Sequence, residues 1–192
     1  MQSKLINHFL KITELSDEEI KAITDTMDIK EIKKGSYLIK TGQRNKDSYF
    51  VLSGLIRQYK VKNGEEITTD FYTEDQWIIH FTSFEENPVA ENNLICEETS
   101  FVVVGNEKKA QALFQQFPRL ETISRIVMET VFAEKQKMLS SYLTETPEQR
   151  YLTLLKDRPD LLQSVPQYQI ASYIGVKPES LSRIRKRLTL TD

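Results

Sequence analysis

The sequence predicts an α+β protein: a small antiparallel β domain, then a long helix, then a C-terminal helix-turn-helix. Three observations support this fold class. Short β-type runs between residues 28 and 105 are separated by Gly35, Gly42, Gly54 and Gly64, a spacing typical of a small barrel or sandwich. No glycine or proline interrupts residues 119–143. Finally, Gly175 separates two short segments that each carry apolar residues at helical spacing.

Composition excludes several classes of protein. The chain has 192 residues, 39% of them hydrophobic and 28% charged, with a formal net charge of −2, which is ordinary for a soluble globular protein. Its one cysteine, Cys96, excludes a disulfide framework, a four-cysteine iron–sulfur cluster and a multi-cysteine zinc site, and its two histidines, His8 and His80, leave little for a histidine-built metal centre. We therefore expect no metal and no cofactor. The N-terminus does not resemble a signal peptide and no apolar run reaches the roughly 20 residues of a membrane helix, so we expect a cytoplasmic protein.

The first predicted helix begins at a capping box, with Ser16 as N-cap and Glu19 three residues later. Ile20, Ile23 and Met27 follow at helical spacing. From residue 28 the apolar period changes to two, and the last predicted strand covers residues 99–104, before Gly105. Residues 28–105 are therefore predicted to be all-β.

A long helix is predicted from about Arg119 to Leu143. Its apolar residues recur at spacings of three, four and seven: Leu120, Ile123, Ile126, Val127, Val131, Met138, Leu139 and Tyr142. One interpretation is that this stripe packs along the chain's own β domain. The other, which we favour, is a seam between two copies of the chain, because a single helix-turn-helix contacts few base pairs and a twofold dimer contacts two half-sites.

The C-terminal segment is more basic than the rest of the chain. Thr146 as N-cap and Pro147 at the first helical position mark its start, which predicts three parts: residues 1–118, 119–145 and 146–192. Residues 146–192 hold eight basic and five acidic side chains, a net charge of +3, so the preceding residues carry −5. Five of the eight basic residues lie between Lys177 and Arg187, as expected for a surface that meets a dense negative charge.

Residues 167–188 have the pattern of a helix-turn-helix. Ile170, Ala171 and Ile174 form the inward face of the first helix, and Gly175 allows the left-handed conformation of a tight turn. Pro178 then opens a second helix, whose inward residues are Leu181, Ile184 and Leu188. Such a second helix enters the major groove of DNA.

The outer face of the second helix has side chains suited to contacts with DNA. Arg183 can donate two hydrogen bonds to guanine, and Glu179 can accept one from cytosine. The remaining candidates, of which all but Arg187 are assigned to phosphate contacts, are Lys177, Ser180, Ser182, Arg185, Lys186 and Arg187. The alternative is an ordinary solvated surface helix, and Lys177 is a poor N-cap residue.

Taken together, the motifs resemble the Crp–Fnr superfamily, the cyclic-AMP receptor protein family of bacterial transcription regulators. The resemblance rests on residues 34–42, Tyr49–Gly54, Gly64-Glu65-Glu66 and residues 170–184, and it covers nearly the whole chain in the same order. It implies an N-terminal β-roll of the cyclic-nucleotide-binding type (a double-stranded β-helix), a dimerisation helix and a reader domain of winged-helix type. It also implies duplex DNA and a second copy of the chain as partners, with RNA polymerase as a candidate partner, and places Glu179, Ser180 and Arg183 against DNA.

The chain departs from this family at two places. Family members that bind cyclic nucleotides carry a carboxylate for the ribose and an arginine for the phosphate. Here His80 and Ala90 stand at those positions, so we expect an effector other than cyclic AMP, or none, because a buried phosphate without a cation is strongly desolvated. Acidic residues nearby, Glu97 among them, would also repel a phosphate. Only four residues follow Leu188, and we expect no β-hairpin wing.

Other sensor chemistries are weaker interpretations. His80 is a candidate haem ligand, but a lone histidine in a strand-rich segment is more often structural. Cys96 is expected to be a small buried hydrophobe rather than a redox switch. Trp77, Ile78, Phe81 and Phe84 line either a pocket or the core, and we favour the core.

Function classes other than DNA binding have less support. A catalytic barrel of the cupin type needs several histidines, and no nucleophile elbow, phosphate-binding loop or carboxylate pair is evident, so we expect no catalytic residues and no enzyme. A second alternative keeps the fold but assigns the β-roll to binding a protein or a small ligand, without DNA. Salt dependence of binding distinguishes the two, since each phosphate contact steepens it.

Overall fold

The computed structural model describes residues 2–79 and 89–189. It divides into two compact units. The N-terminal unit comprises Met1–Gln58 and Phe71–Phe132, and the C-terminal unit comprises Tyr59–Asp70 and Ala133–Asp192. No helix within the described residues is long and apolar enough to cross a membrane.

Two helices precede the β-roll. Helix α1 spans Gln2–Leu10 and was not predicted from the sequence, whereas α2 spans Asp17–Thr26 as expected. The capping box is confirmed: the Glu19 amide donates to Ser16 Oγ at 3.2 Å and the Ser16 amide donates to Glu19 Oε2 at 2.8 Å. Met27, predicted inside this helix, is instead its C-cap with extended backbone angles.

Within residues 2–79 and 89–189, eight strands form two four-stranded sheets. The strands are β1 (Asp28–Ile32), β2 (Tyr37–Ile39), β3 (Ser48–Ser53), β4 (Ile56–Lys62), β5 (Glu65–Tyr72), β6 (Trp77–Ile78), β7 (Asn93–Cys96) and β8 (Ser100–Gly105). The sheets have the orders β1-β8-β3-β6 and β2-β7-β4-β5. The pairings of β1, β3 and β8 are antiparallel, so the predicted antiparallel β-roll is confirmed.

Successive side chains of β3 and β8 belong alternately to two separate apolar clusters. Val51 and Val102 belong to a buried cluster with Ile56, Leu94 and Cys96, which we call the interior cluster. Their neighbours Phe50 and Val103 belong to a second cluster with Leu5 of α1, which we call the outer cluster. Because successive side chains of a strand point to opposite faces, the first sheet has one face toward the roll interior and the other toward the helices.

The long helix is present and packs in part on its own chain. Helix α3 spans Glu107–Gln116 and α4 spans Arg119–Thr144. In the N-terminal unit, Leu120 and Ile123 of α4 pack with Ile6 and Ile23 in a buried cluster. The first half of the stripe therefore packs against the helices of its own chain that flank the β-roll.

Four short helices complete the chain: α5 (Pro147–Asp157), α6 (Pro159–Ser164), α7 (Gln167–Tyr173) and α8 (Pro178–Leu188). Thr146 caps α5 through the amide of Gln149, with Pro147 in the first turn, as predicted. Helix α6 was not predicted from the sequence. A β-roll, a long helix and a helix-turn-helix are all present, which confirms the fold class.

Candidate nucleic-acid interface

The turn between α7 and α8 has the geometry that the sequence predicted. Gly175 has a φ of +79°, a conformation that favours glycine. The Val176 amide donates to the Ala171 carbonyl at 2.9 Å and the Gly175 amide donates to the Ser172 carbonyl at 3.1 Å, which closes the C-terminus of α7. This turn fixes the direction in which α8 leaves α7.

Arg150 of α5 holds the same turn from outside. Its Nε and one terminal nitrogen donate to the Ile174 carbonyl at 3.0 and 2.9 Å, and its other terminal nitrogen donates to the Glu145 carbonyl at 2.6 Å. The guanidinium also lies 4.9 Å from the centre of the Tyr142 ring, which adds a cation–π contact. Arg150, counted from the sequence only as part of the basic tail, is a structural residue.

The first helix of the pair is also tied to the hairpin of β4 and β5. The Thr68 amide donates to Ser172 Oγ at 2.9 Å. Nearby, the buried carboxylate of Asp70 pairs with Lys135 of α4. Burial and, secondarily, the negative charge of Asp70 raise the pKa of Tyr173. The Tyr173 hydroxyl also donates to Met138 Sδ of α4 at 3.9 Å, so within the C-terminal unit α7 contacts both the hairpin and α4.

Helix α8 has one buried face and one exposed face. Leu181 and Ile184 are 1% and 5% exposed, as predicted for its inner side. On the opposite side Glu179, Arg183 and Lys186 are exposed at spacings of four and three, so they share one face. Within the described part of the chain, none of these three side chains has a hydrogen bond or ion pair. They form the free face of α8.

The other predicted DNA-contacting residues differ from one another. Arg185 donates to Gln167 Oε1 at 2.7 Å, and Arg187 pairs with Glu148 of α5 at 2.5 Å. Lys177 and Ser182 are exposed and Ser180 is half-buried. Lys177 is the N-cap of α8 and makes no side-chain capping bond, as its residue type predicted. The structure thus brings all eight residues to one helix but gives two of them partners within the chain.

Three basic residues lie in the last turn of α8: Arg185, Lys186 and Arg187. Cations at a helix C-terminus interact favourably with the helix dipole, so part of the basic stripe stabilises the helix itself. Arg183 lies outside that last turn and has no such role. Its side chain is exposed and is available to a partner.

The roll interior near Ala90 is apolar. Ala90 is 9% exposed and packs in the interior cluster with Ile39, Leu94 and Tyr72. Glu97, expected to repel a phosphate, instead pairs with the buried Arg57 at 2.6 Å. Cys96 is fully buried and burial raises the pKa of its thiol, in agreement with a small hydrophobe.

The remaining predictions for the roll divide between described and undescribed residues. Ile78 is fully buried and belongs to the core as favoured, whereas Trp77 is partly buried, packs against the outer cluster and also lines a pocket. His80, Phe81 and Phe84 lie outside the described residues. Among the residues that the structure describes, no group of three or more His, Cys, Asp or Glu side chains is placed to hold a metal ion.

Comparison with known families finds a similarity in the first part of the chain. Residues 29–117 match the model of the cyclic nucleotide-binding domain family. This segment begins within β1 and ends after α3, so it covers the β-roll and the helix that follows it. No curated protein sequence matches the chain at a significant level.

Solved structures match over most of the chain. The Thermus thermophilus catabolite activator protein is 17% identical, with a TM-score of 0.55, and the match covers 92% of this chain and 85% of that one. The Xanthomonas campestris global regulator CLP, described as responsive to c-di-GMP, is 15% identical, with a TM-score of 0.68 and coverage of 92% and 93%. FixK2 from Bradyrhizobium japonicum is 14% identical, with a TM-score of 0.68 and 86% of both chains covered. These similarities, all at low identity, confirm the fold that the sequence resemblance implied.

Proposed function

We propose that this protein is a homodimeric transcription regulator of the Crp–Fnr type that reads an inverted repeat in duplex DNA. The observation that carries the proposal is the free face of α8. Glu179, Arg183 and Lys186 are exposed and unpaired in the described part of the chain, on a helix whose other face is buried. Arginine and glutamate are among the side chains that read base edges in the major groove.

The three-part division into residues 1–118, 119–145 and 146–192 is part of this proposal. The second half of α4 supplies the dimer contact. Phe132, Leu139 and Leu143 are 50%, 61% and 78% exposed and are spaced by seven and four residues, which places them along one side of the helix. Exposed large apolar residues in a row are typical of an association surface. This seam is shifted toward the C-terminus of the stripe predicted from the sequence, whose first residues are buried in the chain's own core.

Two copies joined through α4 place two α8 helices on one face of the dimer. Twofold dimers of this kind read half-sites about 34 Å apart, one turn of the duplex. A signal received in the β-roll changes how the two α4 helices pack and so resets the distance between the α8 helices. Lys177, Ser180, Ser182 and Lys186 contribute phosphate contacts that set the register, whereas Arg185 and Arg187 are held by partners within the chain.

The effector is something other than cyclic AMP, or the protein acts without one. Ala90 presents a methyl group to an apolar cluster at the position where the family resemblance expects a phosphate-binding arginine. A phosphate there lacks the charge-assisted hydrogen bonds that repay its desolvation. No cofactor is part of this proposal, and RNA polymerase remains a candidate partner.

The direct test is selection of bound duplexes from a random DNA pool, with the full chain at near-physiological salt and no added ligand. We expect enrichment of an inverted repeat with half-sites one helical turn apart. Adding cyclic AMP should change neither the enriched sequence nor the affinity. Selection that succeeds only with cyclic AMP contradicts the assignment of Ala90.

A roll that binds proteins or small ligands without reading DNA gives a different result. A protein of this kind enriches no DNA sequence from the pool. Any residual binding to DNA is the same for all base sequences, at every salt concentration. Binding measured from low to physiological salt then separates the two functions, because phosphate contacts give a linear fall of log affinity with log salt.

Light scattering tests the dimer. At micromolar concentration we expect about twice the chain mass of 22.4 kDa, and we expect Leu139→Glu to shift the protein toward monomer because a charge is costly in an apolar seam. Leu152→Glu is the matched control, since Leu152 is also exposed but lies on α5. If the unmodified protein has the mass of a monomer, the proposal that α4 forms a dimer contact is wrong.

A further inference from the structure

A pocket of about 290 Å³ lies in the N-terminal unit, which we call the outer pocket. Trp77 and Val103 of the first sheet form one wall. Helices α1 to α4 also contribute to the lining, through Leu5, Ile23, Phe114 and Met128 among others. The outer pocket is thus enclosed between the helix-facing side of the sheet and α1 to α4.

This pocket differs from the position of a cyclic nucleotide in the family. Val103 and Trp77 belong to the outer cluster, whereas Ala90 belongs to the interior cluster on the other face of the same sheet. Adjacent residues of β8 point to opposite faces, so the sheet itself separates the two places. A ligand in the outer pocket therefore leaves the roll interior unoccupied.

The polarity of the outer pocket changes from its base to its mouth. Buried side chains at its base are apolar, including Ile23, Val103, Ile123 and Val127. The exposed residues that line it mark the mouth: Lys46, Asn106, Glu107 and Lys109. The mouth carries two positive charges and one negative charge, and the Glu107 carboxylate already accepts a bond from Gln111.

Such a pocket fits an amphipathic anion. A volume near 290 Å³ is at the lower limit of ordinary small-molecule pockets, roughly 300–1,000 Å³. Met27 and Met128 line it, and their flexible side chains adapt to the shape of an apolar chain. A polar ligand such as a nucleotide finds few partners at the apolar base and is disfavoured by desolvation.

We propose that the outer pocket binds a medium-chain aliphatic carboxylic acid. The alkyl chain lies between the sheet and the helices, against Trp77 and Phe114. The carboxylate remains at the mouth, where Lys46 and Lys109 attract it. This inference concerns binding to the N-terminal unit and does not depend on whether α8 reads DNA.

Trp77 provides the measurement, because it is the only tryptophan of the chain and it lines the outer pocket. The full chain is titrated with sodium decanoate, below the concentration at which decanoate forms micelles, with Trp77 fluorescence and calorimetric heat recorded together. We expect both signals to saturate at one decanoate per chain. The absence of saturable binding up to millimolar decanoate overturns the proposal.

The role of the mouth is tested by a pair of neighbouring lysines. Lys109 lines the pocket, whereas Lys108 is exposed beside it and does not. We expect Lys109→Glu to weaken decanoate binding about fivefold, and Lys108→Glu to leave it nearly unchanged, since the interaction of exposed charges is worth up to about 1 kcal/mol. Decanol, which has no charge, should not distinguish the two variants. Equal effects of the two substitutions on decanoate binding contradict the assignment of the mouth.

The location of the alkyl chain is tested by filling the pocket. Ser124→Phe places a ring in the lining, and Thr122→Phe places the same ring on the exposed side of α4. We expect only Ser124→Phe to abolish the calorimetric signal, with circular dichroism showing that both variants are folded. A folded Ser124→Phe variant that still binds decanoate overturns the proposal. If that variant does not fold, the lysine pair alone decides.

Discussion

The basic residues of the C-terminal unit fall into two groups that the sequence does not distinguish. Three arginines donate hydrogen bonds within the chain: Arg150 to a backbone carbonyl, Arg185 to a side-chain amide oxygen and Arg187 to a carboxylate. Arg183 and Lys186 are exposed and, among the described residues, make no such contact. The first group stabilises the helix-turn-helix and the second is available to a partner, so a count of positive charge overstates the surface that meets DNA.

Substitution of Arg150 tests the first group and has the largest expected effect on stability. Arg150→Met keeps an unbranched apolar side chain but removes the hydrogen bonds to the Ile174 and Glu145 carbonyls. We expect the opening free energy of the α7–α8 turn, measured by hydrogen exchange, to fall by about 2–3 kcal/mol. Lys156→Met on the exposed side of α5 is the control, and an equal effect of the two changes contradicts the structural role of Arg150.

Substitution of Glu148 moves Arg187 from the first group to the second. Glu148→Gln breaks the ion pair with Arg187, which costs at most about 1 kcal/mol in stability because both side chains are partly exposed. We expect the freed Arg187 to add one phosphate contact and to steepen the slope of log affinity against log salt by about one. An unchanged slope, measured on the same duplex, shows that Arg187 does not reach the backbone of DNA.

Lowering the pH distinguishes the histidine contact of the N-terminal unit from the arginine contacts of the C-terminal unit. Of these tests we expect it to have the smallest effect on stability. Burial lowers the pKa of His8, whose Nε2 accepts a bond from Trp77 Nε1 at 3.3 Å. Because the pKa of His8 is lower in the folded state than in the unfolded state, neutral His8 contributes fully to the stability of the fold above pH 6.5. This contribution to stability is lost as the pH falls through the pKa of the folded state.

The C-terminal unit contains no histidine, the side chain that ordinarily changes charge between pH 5 and 8. We therefore expect Trp77 fluorescence to change as the pH falls from 7 to 5, while hydrogen exchange at the α7–α8 turn shows no added opening after correction for the intrinsic exchange rate. His8→Gln should remove the change in fluorescence. A change that persists in this variant assigns the acid sensitivity to another group.

The features predicted correctly from the sequence are those set by interactions between residues close together in the chain. The capping box at Ser16, Pro147 after Thr146, and Gly175 before Pro178 each fix a few backbone angles or hydrogen bonds nearby, and all are found as expected. The buried face of α8 followed from helical spacing alone. These features needed no knowledge of distant residues.

The features that the sequence missed depend on distant contacts. Helix α1 is held by packing of Leu5 on the outer cluster, and α6 begins at a proline that also ends α5. Residues Tyr59–Asp70 group with the C-terminal unit through contacts such as Thr68 to Ser172, which are 104 residues apart. The partners of Arg150 and Arg187 are likewise set by tertiary structure, so charge patterning could not separate them from Arg183.

The most direct test of DNA reading is a comparison of selected duplexes for Arg183→Ala and Lys156→Ala. Both changes remove one exposed positive charge from the C-terminal unit, but only Arg183 lies on the free face of α8. The account predicts that Arg183→Ala costs about 1–3 kcal/mol on the selected site and relaxes preference at one base position in each half-site, while Lys156→Ala leaves the preference unchanged. If Arg183→Ala weakens all duplexes equally, Arg183 contacts only phosphate and the claim that this face reads bases is wrong.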